Sequence, residues 1–419
     1  MTDLRELALN VVKDVLEKKN SVVHTTISEK EENAFITMLV LTSLRKLVFI
    51  RKILKKFVAK KLSKQNVVAQ AVLILGTVEL LYMQTPDYAV INSYVNLVKR
   101  KTDRFIAGFV NAVLRKVSTF KDDLIKSDVG EFFSQDFKAL LKKSYSNKEI
   151  LEIEKMSLTQ PLLDITCVNE ESAGKLGGEK LPLGTIRLRA KGKISSLPDY
   201  EKGTWWVQDF SSSLAVKMLG DIKGKKVLEL CAAPGGKTAQ LLAAGAEVFC
   251  LDISEDRLET LKENLTRLGM QPKNIVCQDG ISFLDEARDK YDIVILDAPC
   301  SATGTIRRHP EIVHLKTEKD VMKQAALQRQ FLSKIERVLE KGGILLYCTC
   351  SFCKAEGEWQ IKEFLEKNLQ YEIVNLKKMI PQEFGQLVTK EGFVRVLPQY
   401  LKKIGGADGF FIACLKKVE

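Results

Sequence analysis

The stretch KVLELCAAPGGKT, Lys226 to Thr238, decides the fold. A short apolar run breaks into a turn of small residues and leads into a helix at about Thr238, the signature of a strand–turn–helix unit. Ala232, Ala233, Gly235 and Gly236 let a ligand approach the backbone closely. Main-chain N–H groups at the helix start suit a polar or anionic ligand. The turn, Cys231, Ala232, Ala233, Pro234, Gly235, Gly236 and Lys237, matches neither GxGxxG nor the GxxxxGK[ST] phosphate loop. The first Gly of the latter would stand five residues before Gly236, where Cys231 is found.

The same rhythm continues outward. EVFCLDIS (247–254), NIVCQDG (274–280), YDIVILDAPC (291–300), GGILLYCTCS (342–351) and GFFIACLKK (409–417) alternate with helical segments. This predicts an α/β, Rossmann-like fold, a parallel, doubly wound sheet whose ligands lie outside the carboxyl ends of the strands. Asp252, about twenty residues beyond the first turn, is placed to take both hydroxyls of a ribose. Asp279, one strand further, is placed to take an adenine amino hydrogen. Either alone reads equally well as a helix N-cap. Together with the turn they describe an adenosine-bearing cofactor without a demanding phosphate cradle, S-adenosylmethionine rather than NAD or ATP.

The fourth strand ends in Asp297-Ala298-Pro299-Cys300-Ser301 and the fifth in Cys348-Thr349-Cys350-Ser351. Carbon 5 of cytosine is a poor nucleophile while the ring is aromatic. A thiolate adding to carbon 6 makes an enamine, and carbon 5 then attacks a methyl donor. An acid near ring nitrogen 3 helps that addition, and a base must later remove the carbon 5 proton. Two thiols and Asp297 fit this sequence, though the residues alone do not choose which thiol attacks. No metal is expected: Cys348, Cys350 and Cys353 have no second CxxC or His pair at zinc spacing. Cys348 is expected as a buried strand residue, and Cys250, Cys277 and Cys414 as core. Arg307-Arg308-His309 is expected to contact RNA rather than only to pair with Glu311. Trp205 and Trp206 are expected to pack rather than stack on a nucleotide. Lys237 is left between a cofactor carboxylate and Asp297.

Of the 419 residues, the first 120 carry 20 Lys and Arg against 10 Asp and Glu; the other 299 carry 45 against 43. The densest basic run is RKILKKFVAKKLSK, Arg51 to Lys64, the footprint of a polyanion binder. Helical spacing runs from Leu4 to Val117 without strand-like alternation. The predicted organisation is an all-helical domain over 1–140, a small α/β connector over 141–203 and the Rossmann-like domain over 204–419. The longest apolar run, Val67 to Met83, is broken by Gly76 and Glu79, so no membrane span is expected. Nine cysteines without a secretory signal predict free thiols and a cytoplasmic protein.

CAAPGGKT, the Asp252 and Asp279 strand ends, DAPCSATGTIRRHPEI, TCS and DGFFIACLKK together resemble the NOL1/NOP2/Sun family of RNA 5-methylcytosine methyltransferases. GTWWVQDFSSSLA (203–215) is similar to that family's first segment of the fold. AVLILGTVELLYMQTPDYAVINSYVNLVKR and FVNAVLRKV resemble the helical RNA-binding domain of NusB, a fusion found in the Sun-type enzymes that act on small-subunit (16S) rRNA. The resemblance implies Cys350 as nucleophile, Cys300 as the aid to product release, and Asp297 against the base and near the methyl donor. It also implies a cofactor pocket lined by Cys231 to Lys237, Asp252, Asp279 and Asp297. The chain departs from the pattern at CTCSFC and at QYLKKI (399–404). The expected activity is 5-methylcytosine formation in small-subunit rRNA by a monomer. The alternatives are a tRNA 5-methylcytosine enzyme and a non-catalytic RNA-binding or antitermination factor.

Overall fold

The computed structural model describes residues 4–17, 34–58, 66–102, 104–168, 173–189 and 193–418. The chain forms two compact units. One comprises Met1–Lys142, Asn147–Leu158 and Arg308–Thr317; the other comprises Lys143–Ser146, Thr159–Arg307 and Glu318–Glu419.

The first unit is helical. Its axis is the helix Val67–Tyr82, buried on nearly every side among Leu4–Leu16, Ala34–Phe57, Asp87–Lys101 and Arg104–Thr119. The apolar run that includes this helix is therefore a core segment. No helix among the described residues is long and apolar enough to cross a membrane. Glu79, which interrupts the run, is fully buried, and its carboxylate accepts from Arg5 at 2.6 Å and from the Tyr94 hydroxyl at 2.9 Å. A buried charge is tolerated when it is paired in this way. Gly76 has a packing reason: a Cβ there would lie 2.9 Å from a Leu114 methyl and 3.2 Å from the Tyr94 ring, so any larger residue would displace those side chains. Of the basic run, Ala59 to Lys64 lie outside the described residues.

The second unit holds two sheets. The smaller contains β1 (Leu163–Cys167), β2 (Glu179–Lys180), β3 (Thr185–Leu188) and β4 (Trp205–Val207), in the antiparallel order β2-β3-β1-β4. The larger contains β5 (Lys226–Leu230), β6 (Glu247–Asp252), β7 (Asn274–Cys277), β8 (Tyr291–Asp297), β9 (Leu339–Thr349), β10 (Tyr371–Ile373), β11 (Val394–Val396) and β12 (Phe410–Lys417). Its order is β10-β12-β9-β8-β5-β6-β7, with β11 paired to β12. Strands β9, β8, β5, β6 and β7 are parallel. Alternation along the strands sends Val227, Ile293 and Ile295 to one core layer and Leu228, Leu230, Val294 and Leu296 to the other.

The sequence predicts parallel strands throughout, and the structure differs at the end. Strand β12 runs antiparallel to β9, β10 and β11. No crossover helix lies between β10 and β12; turns of 3-10 helix and β11 fill that interval. Antiparallel neighbours need no crossover, and parallel neighbours do.

Candidate functional site

The chain leaves β5, crosses to β6 and β7 on one side, then returns to β8 on the other. The crevice between β5 and β8 is the topological switch point, where open α/β sheets bind ligands. The residues singled out in the sequence converge on this rim.

The turn after β5 is shaped for close approach. Cys231 has φ 60 and Gly235 φ 97, and the helix begins at Gly236. Lys237 is nearly enclosed; its ammonium donates to Asp297 Oδ2 at 2.6 Å and to Ser212 Oγ at 3.2 Å. Burial, the largest single influence, would lower the Lys237 pKa, but the charge of Asp297 and the hydrogen bond to it, with Cys348 and Glu229 nearby, together raise it. Of the two partners left open for Lys237, the structure shows Asp297. A cavity of about 180 Å³ is bounded by Gln208, Asp209, Ser212, Ala232, Ala233, Lys237 and Asp297.

Asp252 ends β6 and is 1% exposed; Oδ2 accepts the Ala233 N–H and Oδ1 the Ser254 N–H, each at 3.1 Å. A carboxylate offers about four acceptor positions, so acceptor capacity remains for ribose hydroxyls. Asp279, beyond β7, is exposed and caps the helix Gly280–Glu286 through Oδ1, which accepts from Ser282 N–H at 2.9 Å and Ser282 Oγ at 3.1 Å. The cap is therefore real, and because both bonds use Oδ1 it leaves Oδ2 for an amino group. The small-residue turn, the buried carboxylate and the capped one fit an adenosine-bearing ligand.

The two thiols meet across the next strand boundary. Asp297 pairs in register with Cys348, whose buried thiol lies 3.5 Å from Asp297 Oδ1. Beyond these strand ends, Cys300 Sγ and Cys350 Sγ lie 3.4 Å apart, both half-buried. The hydrogen bond to Cys350, with burial, pushes the Cys300 thiol well above its ordinary pKa. The loops that carry them interlock. Gly304 N–H donates to the Cys350 carbonyl at 3.0 Å, and Phe352 N–H donates to Thr303 Oγ1 at 3.0 Å. Beneath both lies Glu356, fully buried. It accepts the Ser301 N–H at 2.7 Å, the Ser301 hydroxyl at 2.6 Å and the Ser351 hydroxyl at 2.5 Å. Sequence reasoning missed Glu356. The available signal was a Ser directly after each thiol, with an acid five residues beyond the second.

Other expectations resolve differently. Cys250, Cys348 and Cys414 are buried, but Cys277 is exposed, because β7 is a four-residue strand at the sheet edge. Trp205 and Trp206 are buried in packing. Arg307 is 1% exposed and donates to the Gly405 carbonyl at 2.7 Å, so it is not an RNA-facing clamp. The QYLKKI segment lies in a 3-10 turn, Pro398–Ile404, and Arg187 also holds its end, donating to the Gly406 carbonyl at 2.7 Å. His309 Nδ1 lies 3.4 Å from Glu311, the local pair weighed against RNA contact.

Comparison with known proteins bears on the family and the fold. The family model for 16S rRNA methyltransferase RsmB/F matches residues 216–416, and the NusB family model matches residues 2–119. The ribosomal RNA small subunit methyltransferase B of Pasteurella multocida is 31% identical over 390 residues, covering 87% of this chain and 84% of its own. The protein of the same name from Escherichia fergusonii is 30% identical over 447 residues, covering 99% of each. The crystal structure of PH0851 superposes with a TM-score of 0.77 over 98% of both chains at 21% identity, a likeness of fold. A helical NusB domain followed by a Rossmann-like catalytic fold, matched along nearly its whole length, places this chain in the RsmB/F family of 16S rRNA methyltransferases.

Proposed function

We propose that the chain forms 5-methylcytosine in small-subunit ribosomal RNA, with Cys350 as the nucleophile and Cys300 as the aid to release. The observation that carries this reading is the thiol pair, 3.4 Å apart beyond the ends of β8 and β9. The hydrogen bond to Cys350, with burial, pushes the Cys300 thiol well above its ordinary pKa, which suits a thiol that stays protonated to aid release. The choice of Cys350 as the sulfur that bonds carbon 6 follows the family resemblance of the TCS loop. Asp297, whose carboxylate accepts from Lys237 at 2.6 Å, contacts the base as an acceptor for the cytosine amino group and orients the ring for the addition.

S-adenosylmethionine, when bound, supplies the methyl group. The residues that would hold it are the turn Cys231 to Lys237, Asp252, Asp279 and Asp297. After methylation a base takes the carbon 5 proton, the electron pair of that bond re-forms the carbon 5–carbon 6 double bond, and the sulfur leaves carbon 6 as a thiolate, which restores the aromatic ring. The Cys300 S–H then stabilises the departing sulfur. Attack on carbon 6 needs access to the ring face, so the target base is unpaired or extruded. Every group used here comes from one copy of the chain, which favours a monomer, and a ribosomal RNA substrate places the reaction in the cytoplasm.

The test compares Cys350→Ala and Cys300→Ala with cofactor and small-subunit rRNA. Cys350→Ala yields neither 5-methylcytosine nor adduct. Cys300→Ala accumulates a protein–RNA adduct that survives denaturant. The reverse pattern exchanges the two roles, and methylation of an exocyclic amine or a sugar hydroxyl sinks the reading.

A further inference from the structure

The two thiol loops come from different strands and touch directly at Gly304 N–H to the Cys350 carbonyl, at Phe352 N–H to Thr303 Oγ1, and at Thr303 Oγ1, which lies 3.0 Å from Ser351 Oγ; the residues next to the sulfurs are held from beneath as well. Each thiol is followed directly by a serine, and both serines reach one side chain. Glu356 accepts the Ser301 N–H at 2.7 Å, the Ser301 hydroxyl at 2.6 Å and the Ser351 hydroxyl at 2.5 Å. Its partners are neutral donors, and it is fully buried. A carboxylate in such a place costs desolvation, so a role in stability alone explains it poorly. Geometry explains it better. A carboxylate is a rigid two-pronged acceptor with about four acceptor positions: here Oε1 takes the Ser301 N–H, and Oε2 takes a hydroxyl from each thiol loop, Ser301 and Ser351. The main-chain carbonyl of Glu356 is held independently, accepting from the Tyr347 hydroxyl at 2.9 Å and the Thr349 hydroxyl at 3.1 Å. The carboxylate is thus a fixed post at the end of β9.

We propose that Glu356 is a positioning residue that sets the spacing of Cys300 and Cys350 by holding Ser301 and Ser351 at once. The proposal rests on the reading of the thiol pair as the reacting centre. It extends that reading from the thiols to the group that registers them.

The test replaces Glu356 with Gln, which keeps size but turns one acceptor prong into a donor. Two readouts are taken. The first is the rate at which diamide, a diazene that accepts two electrons and two protons from a thiol pair, closes a Cys300–Cys350 disulfide; the linked peptides are identified by mass spectrometry. The second is kcat and KM for methylation. Glu356→Gln is expected to slow disulfide closure about fivefold or more and to lower kcat about 10- to 100-fold, with KM for RNA and cofactor within about threefold. Glu356→Asp, which keeps both oxygens, recovers part of each loss. If Glu356→Gln does not fold, the Ser301→Ala/Ser351→Ala pair cuts the hydroxyl prongs and leaves the carboxylate; the same two losses are expected. Disulfide closure at the unaltered rate in these variants overturns the proposal, whatever happens to kcat. Disulfide closure does not need methyl transfer. An unaltered protein that makes no 5-methylcytosine would therefore sink the proposed function and leave this measurement standing.

Discussion

Glu229 is a carboxyl in a place that suits a neutral group. It lies mid-strand in β5, 1% exposed, with the Thr238 hydroxyl donating to it at 2.7 Å. Burial pushes its pKa from 4.5 up to about 8. The folded state therefore keeps a proton that the unfolded state has lost between about pH 4.5 and pH 8. The stability this group contributes is complete below its unfolded pKa and is lost as pH rises towards 8. Glu229→Gln, neutral at every pH, is expected to match the unaltered protein near pH 5 and to exceed it by more than ~1 kcal/mol at pH 8. Urea midpoints across that range check this, and a parallel pH dependence in both proteins would refute it. At this scale the sequence was legible where a residue acts through its place on a strand. Asp252, Asp297, Cys300 and Cys350 all lie at strand ends on the site rim, as position alone suggested. It was illegible where a role depends on a neighbour from another strand. Arg307 sits in a basic run that reads as surface, yet its guanidinium is spent on the carbonyl of Gly405.

Between elements, the closest contact at the site is the crossing of the β8 and β9 loops. A Cβ on Gly304 would lie 2.1 Å from the Gly409 carbonyl oxygen and 2.9 Å from that of Cys350. Gly304→Ala must therefore push the Cys300 loop away from both. The expected result is a loss of about 1–3 kcal/mol in stability, as for other overpacked sites, and a fall in methylation well beyond it. Thermal unfolding beside single-turnover rates would measure both, and an active, stable variant would show that the loops tolerate separation. The strand–turn–helix rhythm made β5 to β9 readable, because each carries a continuous apolar run closed by a polar residue. The direction of β12 was not readable. An apolar run has the same appearance whichever way it enters a sheet, and only the connection decides. The crossing of the two loops was hidden for a similar reason: small residues at 301–305 look like any turn until Gly409 is brought against them.

Over the whole molecule, the excess positive charge lies in the first 120 residues, with 20 basic against 10 acidic, while the rest is near balance. Lys55 and Lys56, at the end of the helix Ala34–Phe57, are exposed. Changing both to Glu is expected to flatten the dependence of log RNA affinity on log salt by roughly 1–2, since each phosphate contact contributes about 0.7–0.9. Binding measured from 50 to 300 mM salt decides it, and an unchanged slope would mean that these charges face away from the RNA. This asymmetry was legible from composition alone, whereas the division into two units, with residues 308–317 joining the helical one, was not. Chain order adds a constraint in time. Strand β12 lies between β9 and β10, yet it is made roughly sixty residues after β9 ends at Thr349. During translation β9 must wait with one edge bare, and a bare edge invites pairing with other chains. The strand that leads into Cys350 is thus among the last to find its partner, and a ribosome stalled before Phe410 would release a chain prone to aggregate rather than a weakened enzyme.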